Sequence, residues 1–373
     1  MKNSDLTLTP KPHYAILDGL RGVAALMVIW YHIFEGFATS PLDQKFNHGY
    51  LAVDFFFILS GFVIGYAYDD RWKSMNVWGF FKRRLIRLHP LVIIGALFGA
   101  ISFMIQGSVQ WNGTHVGFGN VLIALLMSSF LIPARPGGLG EVRGNGEMFP
   151  LNGPAWSLFF EYIANIMYAL FLRRLSTRML KVFVAVSGLG YAAFAVFNGS
   201  GSYSMGVGWT LADLNFLGGF LRVTFSFSCG LLLSRDFRPV RIKGAFWICS
   251  FIIMALLSVP YLGTEANWIN GLYDAVCTLM IFPAVVYMGA SGTVSGKASS
   301  RICSTLGDIS YPLYIIHYPI MYLFYSWLWK NGLTFAQTWP VAICIFIGAP
   351  VLAYIVLKLY DLPVRRYLTS CWK

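Results

Sequence analysis

An all-α, polytopic membrane fold of about ten spans is what this sequence predicts, on three observations. Of its 373 residues, 57% are hydrophobic and only 12% are charged; a soluble domain could not bury so much apolar surface, whereas lipid accepts it. The apolar residues come in continuous runs of spanning length, unlike the short alternating segments of an outer-membrane barrel. The 28 Lys and Arg, against 16 Asp and Glu, cluster at the ends of those runs. There they read as topology signals and contacts to anionic lipid, not as a nucleic-acid surface.

Spans are expected near 14–36, 49–68, 89–106, 154–173, 180–197, 214–234, 244–262, 271–290, 309–329 and 338–359. The run 119–133 is short for a ~30 Å hydrocarbon core. The loops 69–88 and 174–179 are both basic, so both belong inside, which requires an even number of spans between them. Segment 119–133 is therefore expected to be re-entrant or interfacial, and both termini cytoplasmic. The expected organisation is a tail 1–13, one transmembrane domain 14–360 and a tail 361–373. Segment 76–89 reads as a basic amphipathic helix at the inner interface. The Gly- and Pro-rich segment 134–153 suits either a lid or acceptor-binding loop, or a disordered linker. The six cysteines include no CxxC or Cys/His cluster, so neither disulfides nor a metal site is expected. The first apolar run contains Asp18 and Arg21 and is too long for a signal-peptide core, so it is expected to remain as a span.

The charges inside the spans carry the functional reading, because an ionisable residue in a membrane helix usually faces an interior or a wet cavity and has a task. Arg21 and His32 share one helical face at depths ~16 Å apart, with Asp18 and Ala25 on the same stripe. Counted from the outer ends of their runs, His32, Asp54 and Glu161 fall near one level. A histidine with a carboxylate is the minimal general-base pair, suited to acyl transfer to a hydroxyl. Arg21 offers a fork for phosphate or a thioester carbonyl, with an ion pair to Asp18 as the plainer alternative. Arg83, Arg84 and Arg87 could clamp phosphates or simply hold topology. Tyr311, Tyr314 and His317 recur at three-residue spacing on one helix face, and Arg222 is an interior charge with no partner assignable from sequence.

Five blocks then occur in order: Arg21 with His32, Gly49–Phe62 around Asp54, Phe81–Pro90 with Arg83, Arg84 and Arg87, Asn152–Leu158 with Glu161, and Ser310–His317. Together they cover about residues 13–360 and resemble the acyltransferase-3 family. The resemblance implies a ten-span inner-membrane enzyme that moves acetyl or other short acyl groups from cytoplasmic acyl-CoA to hydroxyls of surface glycans, antibiotics or other small acceptors. It implies that His32 is the essential histidine, Arg21 its motif partner, and Arg83, Arg84 and Arg87 the donor-side residues. Asn152, Trp156, Ser157, Tyr311, Tyr314 and His317, which lie in the matching blocks, are taken as substrate-binding candidates.

The expectation is thus an acyl-CoA-dependent O-acyltransferase of a bacterial cytoplasmic membrane. His32 acts as general base, with Asp54, Glu161 and Arg21 in the catalytic group. Acyl-CoA, most simply acetyl-CoA, is a donor substrate and no cofactor is held permanently. The expected partners are membrane lipids and a carbohydrate or lipid-linked sugar, and not nucleic acid. The alternative is a transporter or channel using the same Arg, His, Asp and Glu residues as an ion or proton relay.

Overall fold

The computed structural model describes residues 13–294 and 296–372; the expected tail 1–13, apart from His13, lies outside the described residues, as does Lys373. The architecture is all-helical, with no strand among the described residues. Helix α1 is Ala15–Glu35, and a single tight turn, His48–Leu51, leads into α2, Ala52–Tyr68. Then come α3, Val77–Ile105; α4, Phe118–Ser129; α5, Ala155–Leu170; α6, Thr177–Val196; α7, Asn215–Arg235; and α8, Ala245–Leu257. Helix α9, Trp268–Val276, continues through the wide turn Cys277–Ile281 into α10, Phe282–Ser291. Helix α11 is Lys297–Asn331, and α12, Phe335–Val356, runs on through the wide turn Leu357–Asp361 into α13, Leu362–Cys371.

Eight helical segments among the described residues are long and apolar enough to cross a membrane, while α4 and α8 are apolar but shorter. The expected spans 244–262, here the shorter α8, and 309–329, here within α11, are not among the eight, and two further expectations change in detail. The interfacial helix 76–89 and the span 89–106 form one helix, α3, capped by Asn76, whose side chain accepts from Gly79 N at 2.7 Å. Pro90 sits inside it, and the nearby carbonyls of Leu88 and Pro90 accept from Tyr311 and Tyr360. The expected tail from residue 361 is helical as far as Cys371.

The two most extensive helix pairings are α2 with α7 and α1 with α11. The first depends on glycine: a Cβ on Gly61 would lie 1.9 Å from the Phe227 carbonyl oxygen, and one on Gly230 2.0 Å from that of Ile58. At one end of this seam Arg222 and Asp54 are both fully buried. The guanidinium donates to Asp54 from Nε at 3.1 Å and Nη2 at 2.7 Å, to the Tyr50 carbonyl at 2.7 Å and to that of Val207 at 2.8 Å.

Segment 134–153 is a packed loop, not a linker. Met148, Phe149, Leu151 and Val142 are buried, and Met148 N donates to Trp209 O at 2.8 Å, tying the loop to the segment before α7. Arg143 is fully buried over the Tyr322 ring, 3.2 Å from its centroid, and donates to Gln106 and the Pro150 carbonyl. Glu147 accepts from the Tyr322 hydroxyl and from Asn145 at 2.9 Å. Burial pushes its carboxyl up to about 7, against the pull of Tyr322 and Arg143.

Two predictions follow from these contacts. Removing one partner of a fully buried ion pair leaves the other charge uncompensated, at about 3–5 kcal/mol. Asp54→Ala and Arg222→Ala should each sharply lower the melting temperature of the detergent-solubilised protein, and the double variant should lose less than the two losses added. Equal melting of single variants and wild type contradicts the pairing. For Glu147 the native state holds a proton that the unfolded chain releases near pH ~4.3, so stability falls as pH rises from about 4.3 to 7 and is level above. The change is on the order of 3 kcal/mol, and Glu147→Gln should remove that slope from a pH series of melting curves.

Candidate active site

Two cavities are organised around α1 and α11. The first, a cleft of about 120 Å³, lies toward the N-terminal end of α1 and is lined by Arg21, Ser60, Arg84, Arg87, Ser157, Glu161 and Tyr311 among others. The second, a chamber of about 500 Å³, lies toward the C-terminal end of α1. Its walls include His32, Glu35, Trp111, Glu147, Trp156, Tyr318, Tyr322, Tyr325 and Trp329. Val53 and Tyr314 line both.

In the chamber, His32 Nδ1 lies 2.7 Å from Glu35 Oε2. An ionised carboxylate can only accept, so Nδ1 carries the proton and Nε2 presents its lone pair. Among the described residues Nε2 has no hydrogen-bond partner. The pair is held by Tyr325, whose single O–H is shared between the His32 carbonyl at 2.6 Å and Glu35 Oε2 at 3.0 Å. Tyr318 packs edge-on against the imidazole with ring centroids 4.7 Å apart. A histidine oriented by a carboxylate, with its second nitrogen open to a cavity, can take a proton from a hydroxyl placed there.

In the cleft, Arg84 Nη2 donates to Glu161 Oε1 at 2.9 Å, and Ser60 Oγ donates to the same oxygen at 2.5 Å. Asn165 holds the backbone carbonyl of Glu161 at 2.6 Å. Arg84 Nε is buried with no partner, so this guanidinium keeps a donor in reserve. Arg21 donates to Asp18 at 2.8 Å, the plainer alternative, and also lines the cleft. Arg87 is exposed at its rim, and Arg83 is exposed without lining it. Three guanidinium groups thus line a narrow apolar cleft, an arrangement chemically able to bind phosphate oxygens.

The expected pairing of His32 with Asp54 or Glu161 is not what the structure shows. Glu35 is the partner of His32, Asp54 is closed into the Arg222 pair and lines neither cavity, and Glu161 belongs to the cleft. The error lies in counting depth from the start of the 154–173 run. Helix α5 begins inside the bundle, because Asn152 Nδ2 donates to the Ile315 carbonyl at 2.9 Å and Gly153 N donates to the Tyr322 hydroxyl at 3.1 Å, both on α11. Glu161 is therefore deeper than a count from the surface implies. Glu35, three residues after His32 on the same face, was legible as an i, i+3 pair but stands at the very end of the expected span.

The remaining candidates separate by position. Trp156 lines the chamber, Ser157 and Tyr311 the cleft, and Tyr314 both, whereas Asn152 binds backbone and lines neither. His317 is fully buried, with Nδ1 3.1 Å from the Leu313 carbonyl, Nε2 unpartnered and its ring 5.4 Å from that of His32. Glu147, Tyr318, Tyr322 and Tyr325 are chamber residues that sequence reasoning missed.

Comparison with known proteins agrees with this chemistry. The chain is 33% identical over 192 residues to a Rhizobium radiobacter protein called protein 2 in the picA locus, covering 49% of this chain and 95% of that one. It is 26% identical over 337 residues to a Staphylococcus aureus (strain COL) protein provisionally named an O-acetyltransferase, covering 83% of this chain. It spans 51%, about half the length, of that staphylococcal relative. The acyltransferase MdmB of Streptomyces mycarofaciens is 25% identical over 344 residues, 87% of this chain and 83% of its own. No solved structure matches. The sequence model of the acyltransferase-3 family, described as an acyltransferase domain, matches residues 14–358, and the chain, an integral membrane protein with a base-bearing chamber against a guanidinium-lined cleft, belongs to that family.

Proposed function

We propose that this protein is an acyl-CoA-dependent O-acyltransferase. Acyl-CoA occupies the cleft with its phosphates on Arg87, Arg84 and Arg21, and the acceptor hydroxyl occupies the chamber, where His32 removes its proton. The observation that carries this reading is the division of labour between the cavities, with phosphate-binding charge in one, a free imidazole nitrogen in the other, and Val53 and Tyr314 common to both. The narrow cleft suits a pantetheine arm, and no sugar ring need enter it. The larger chamber, walled by Trp and Tyr, suits a pyranose ring, which stacks its apolar face on aromatic surfaces.

Orientation follows from charge. The basic loops 69–88, 174–179 and 235–243 gather at the cleft end, which we place in the cytoplasm together with both chain termini. Acyl-CoA is cytosolic and would reach the cleft from there, while a glycan or lipid-linked sugar would reach the chamber from the opposite face of a bacterial cytoplasmic membrane. The donor is a substrate, and the reaction drawn needs neither a metal ion nor a permanently held cofactor. The wider activity, acceptor and partners of the longer staphylococcal relatives belong to those proteins.

The test is to incubate the purified protein in nanodiscs with acetyl-labelled acetyl-CoA and either methyl glucosides or glycolipids extracted from the host membrane. CoA release with label on the acceptor is expected. Flux of a solute in liposomes without CoA release would instead favour a transporter. His32→Ala should lower transfer by about 10²–10⁴-fold with donor affinity retained, and Glu35→Gln by on the order of 10². Transfer by His32→Ala at the wild-type rate would remove the base from the mechanism.

A further inference from the structure

We infer that Tyr314 is a catalytic residue of this transfer, its hydroxyl donating a hydrogen bond to the acyl carbonyl oxygen as the tetrahedral intermediate forms. This rests on the acyl-transfer reading above and goes beyond a tyrosine that merely lines a substrate site. If the donor comes through the cleft and the acceptor through the chamber, the thioester carbon must sit where the two meet. Among the described residues only Val53 and Tyr314 line both spaces, and of the two Tyr314 carries an O–H.

The hydroxyl is set up to be redirected. The Tyr314 hydroxyl lies 2.7 Å from Ser157 Oγ, where either oxygen can donate, and 3.4 Å from the Pro154 carbonyl, to which Ser157 Oγ also donates at 2.9 Å, so the phenol proton meets only neutral oxygens. That bond is neutral and can be exchanged for a stronger one to a developing oxyanion. The ring is fixed by an edge-on contact with Phe56, centroids 5.6 Å apart. The rings of His32, His317 and Tyr314 follow one another at 5.4 and 6.0 Å, which keeps Tyr314 within two ring spacings of the base. A chain of base, acceptor oxygen, acyl carbon, oxyanion and phenol spans roughly 7–8 Å when its hydrogen bonds are ~2.8 Å.

The step balances as follows. The acceptor O–H proton passes to His32 Nε2 while its oxygen bonds to the acyl carbon, and the carbonyl electron pair moves onto oxygen, where Tyr314 donates to it. The pair then returns, the C–S bond breaks, and CoA leaves as the thiol with the proton carried by the imidazolium. The products are an O-acyl ester and CoA.

The test is Tyr314→Phe, which keeps the wall and its contact with Phe56 and removes only the O–H. Assayed beside wild type with labelled acetyl-CoA and the best acceptor from the experiment above, it should lose about 10²–10³-fold in kcat, as for removal of an oxyanion donor. KM for acetyl-CoA and the melting temperature should stay within about threefold and a few degrees of wild type, respectively. Ser157→Ala, which leaves the phenol in place, should cost less than Tyr314→Phe. If wild type transfers acetyl and Tyr314→Phe keeps kcat within threefold, or Ser157→Ala reproduces the full loss, the role is overturned while acyl transfer stands. If wild type transfers no acyl group, both fall together.

Discussion

A charge taken from water into a membrane protein costs several kcal/mol unless another charge and hydrogen bonds meet it, and that constraint orders the whole interior here. Each buried charge has a partner, but the partnerships differ in completeness. Arg222 is nearly closed: Nε, Nη1 and Nη2 all donate, to Asp54 and to two carbonyls, which leaves one Nη1 N–H on a side chain that also lines the chamber. Arg84 is open, since Glu161 takes Nη2 while the buried Nε has no partner. His32 is open in the same sense, engaged at Nδ1 by Glu35 and free at Nε2. Residual hydrogen-bonding capacity beside a cavity marks the groups that can act on a substrate, and Arg222 shows that one side chain can both hold the bundle and face that cavity.

The closed pair and the close helix seam depend on each other. Gly61 and Gly230 let α2 and α7 approach until side chains cannot intervene, which sets Arg222 of α7 against Asp54 of α2 at 2.7 Å. With that seam rigid, the turn His48–Leu51 and the start of α2 form a fixed wall of the chamber, and Tyr50 and Val53 are placed by the same contacts. The sequence blocks around Asp54 therefore matter to the chamber through packing as much as through chemistry.

The helical class and eight of the ten expected spans were legible from apolar run length, and the intramembrane positions of Arg21 and His32 from misplaced charge, because in a membrane both signals are strong. Partner assignment was legible only where it was local. Arg21 with Asp18 could be read from a three-residue spacing, and Glu35 with His32 could have been, whereas Arg222 with Asp54 and Arg84 with Glu161 join residues far apart in the chain. Segment 134–153 was ambiguous for another reason. Its glycines and prolines are those of a linker, and only tertiary contacts show Met148, Phe149 and Arg143 buried. The same contacts carry the start of α5 below the surface and defeat depth counting.

A hydroxyl on one face of a membrane and a thioester made on the other can react only if one of them crosses most of the bilayer. Here the distance is divided unequally between a narrow charged cleft and a wide aromatic chamber. In the proposed reaction the acyl arm of the donor is slender and would need only the cleft, so its phosphates would remain at Arg87 and Arg84, which line it. The acceptor proposed above, a bulkier sugar, would stay in the chamber, where the loop carrying Arg143 and Glu147 is clamped to α11 through Tyr322. Between them the barrier is no thicker than the side chains of Val53 and Tyr314. Under the proposed reaction a partition that thin would let a two-carbon group pass while neither carrier has to, so that His32 and Arg21, about three helical turns apart on one helix, could still serve one reaction.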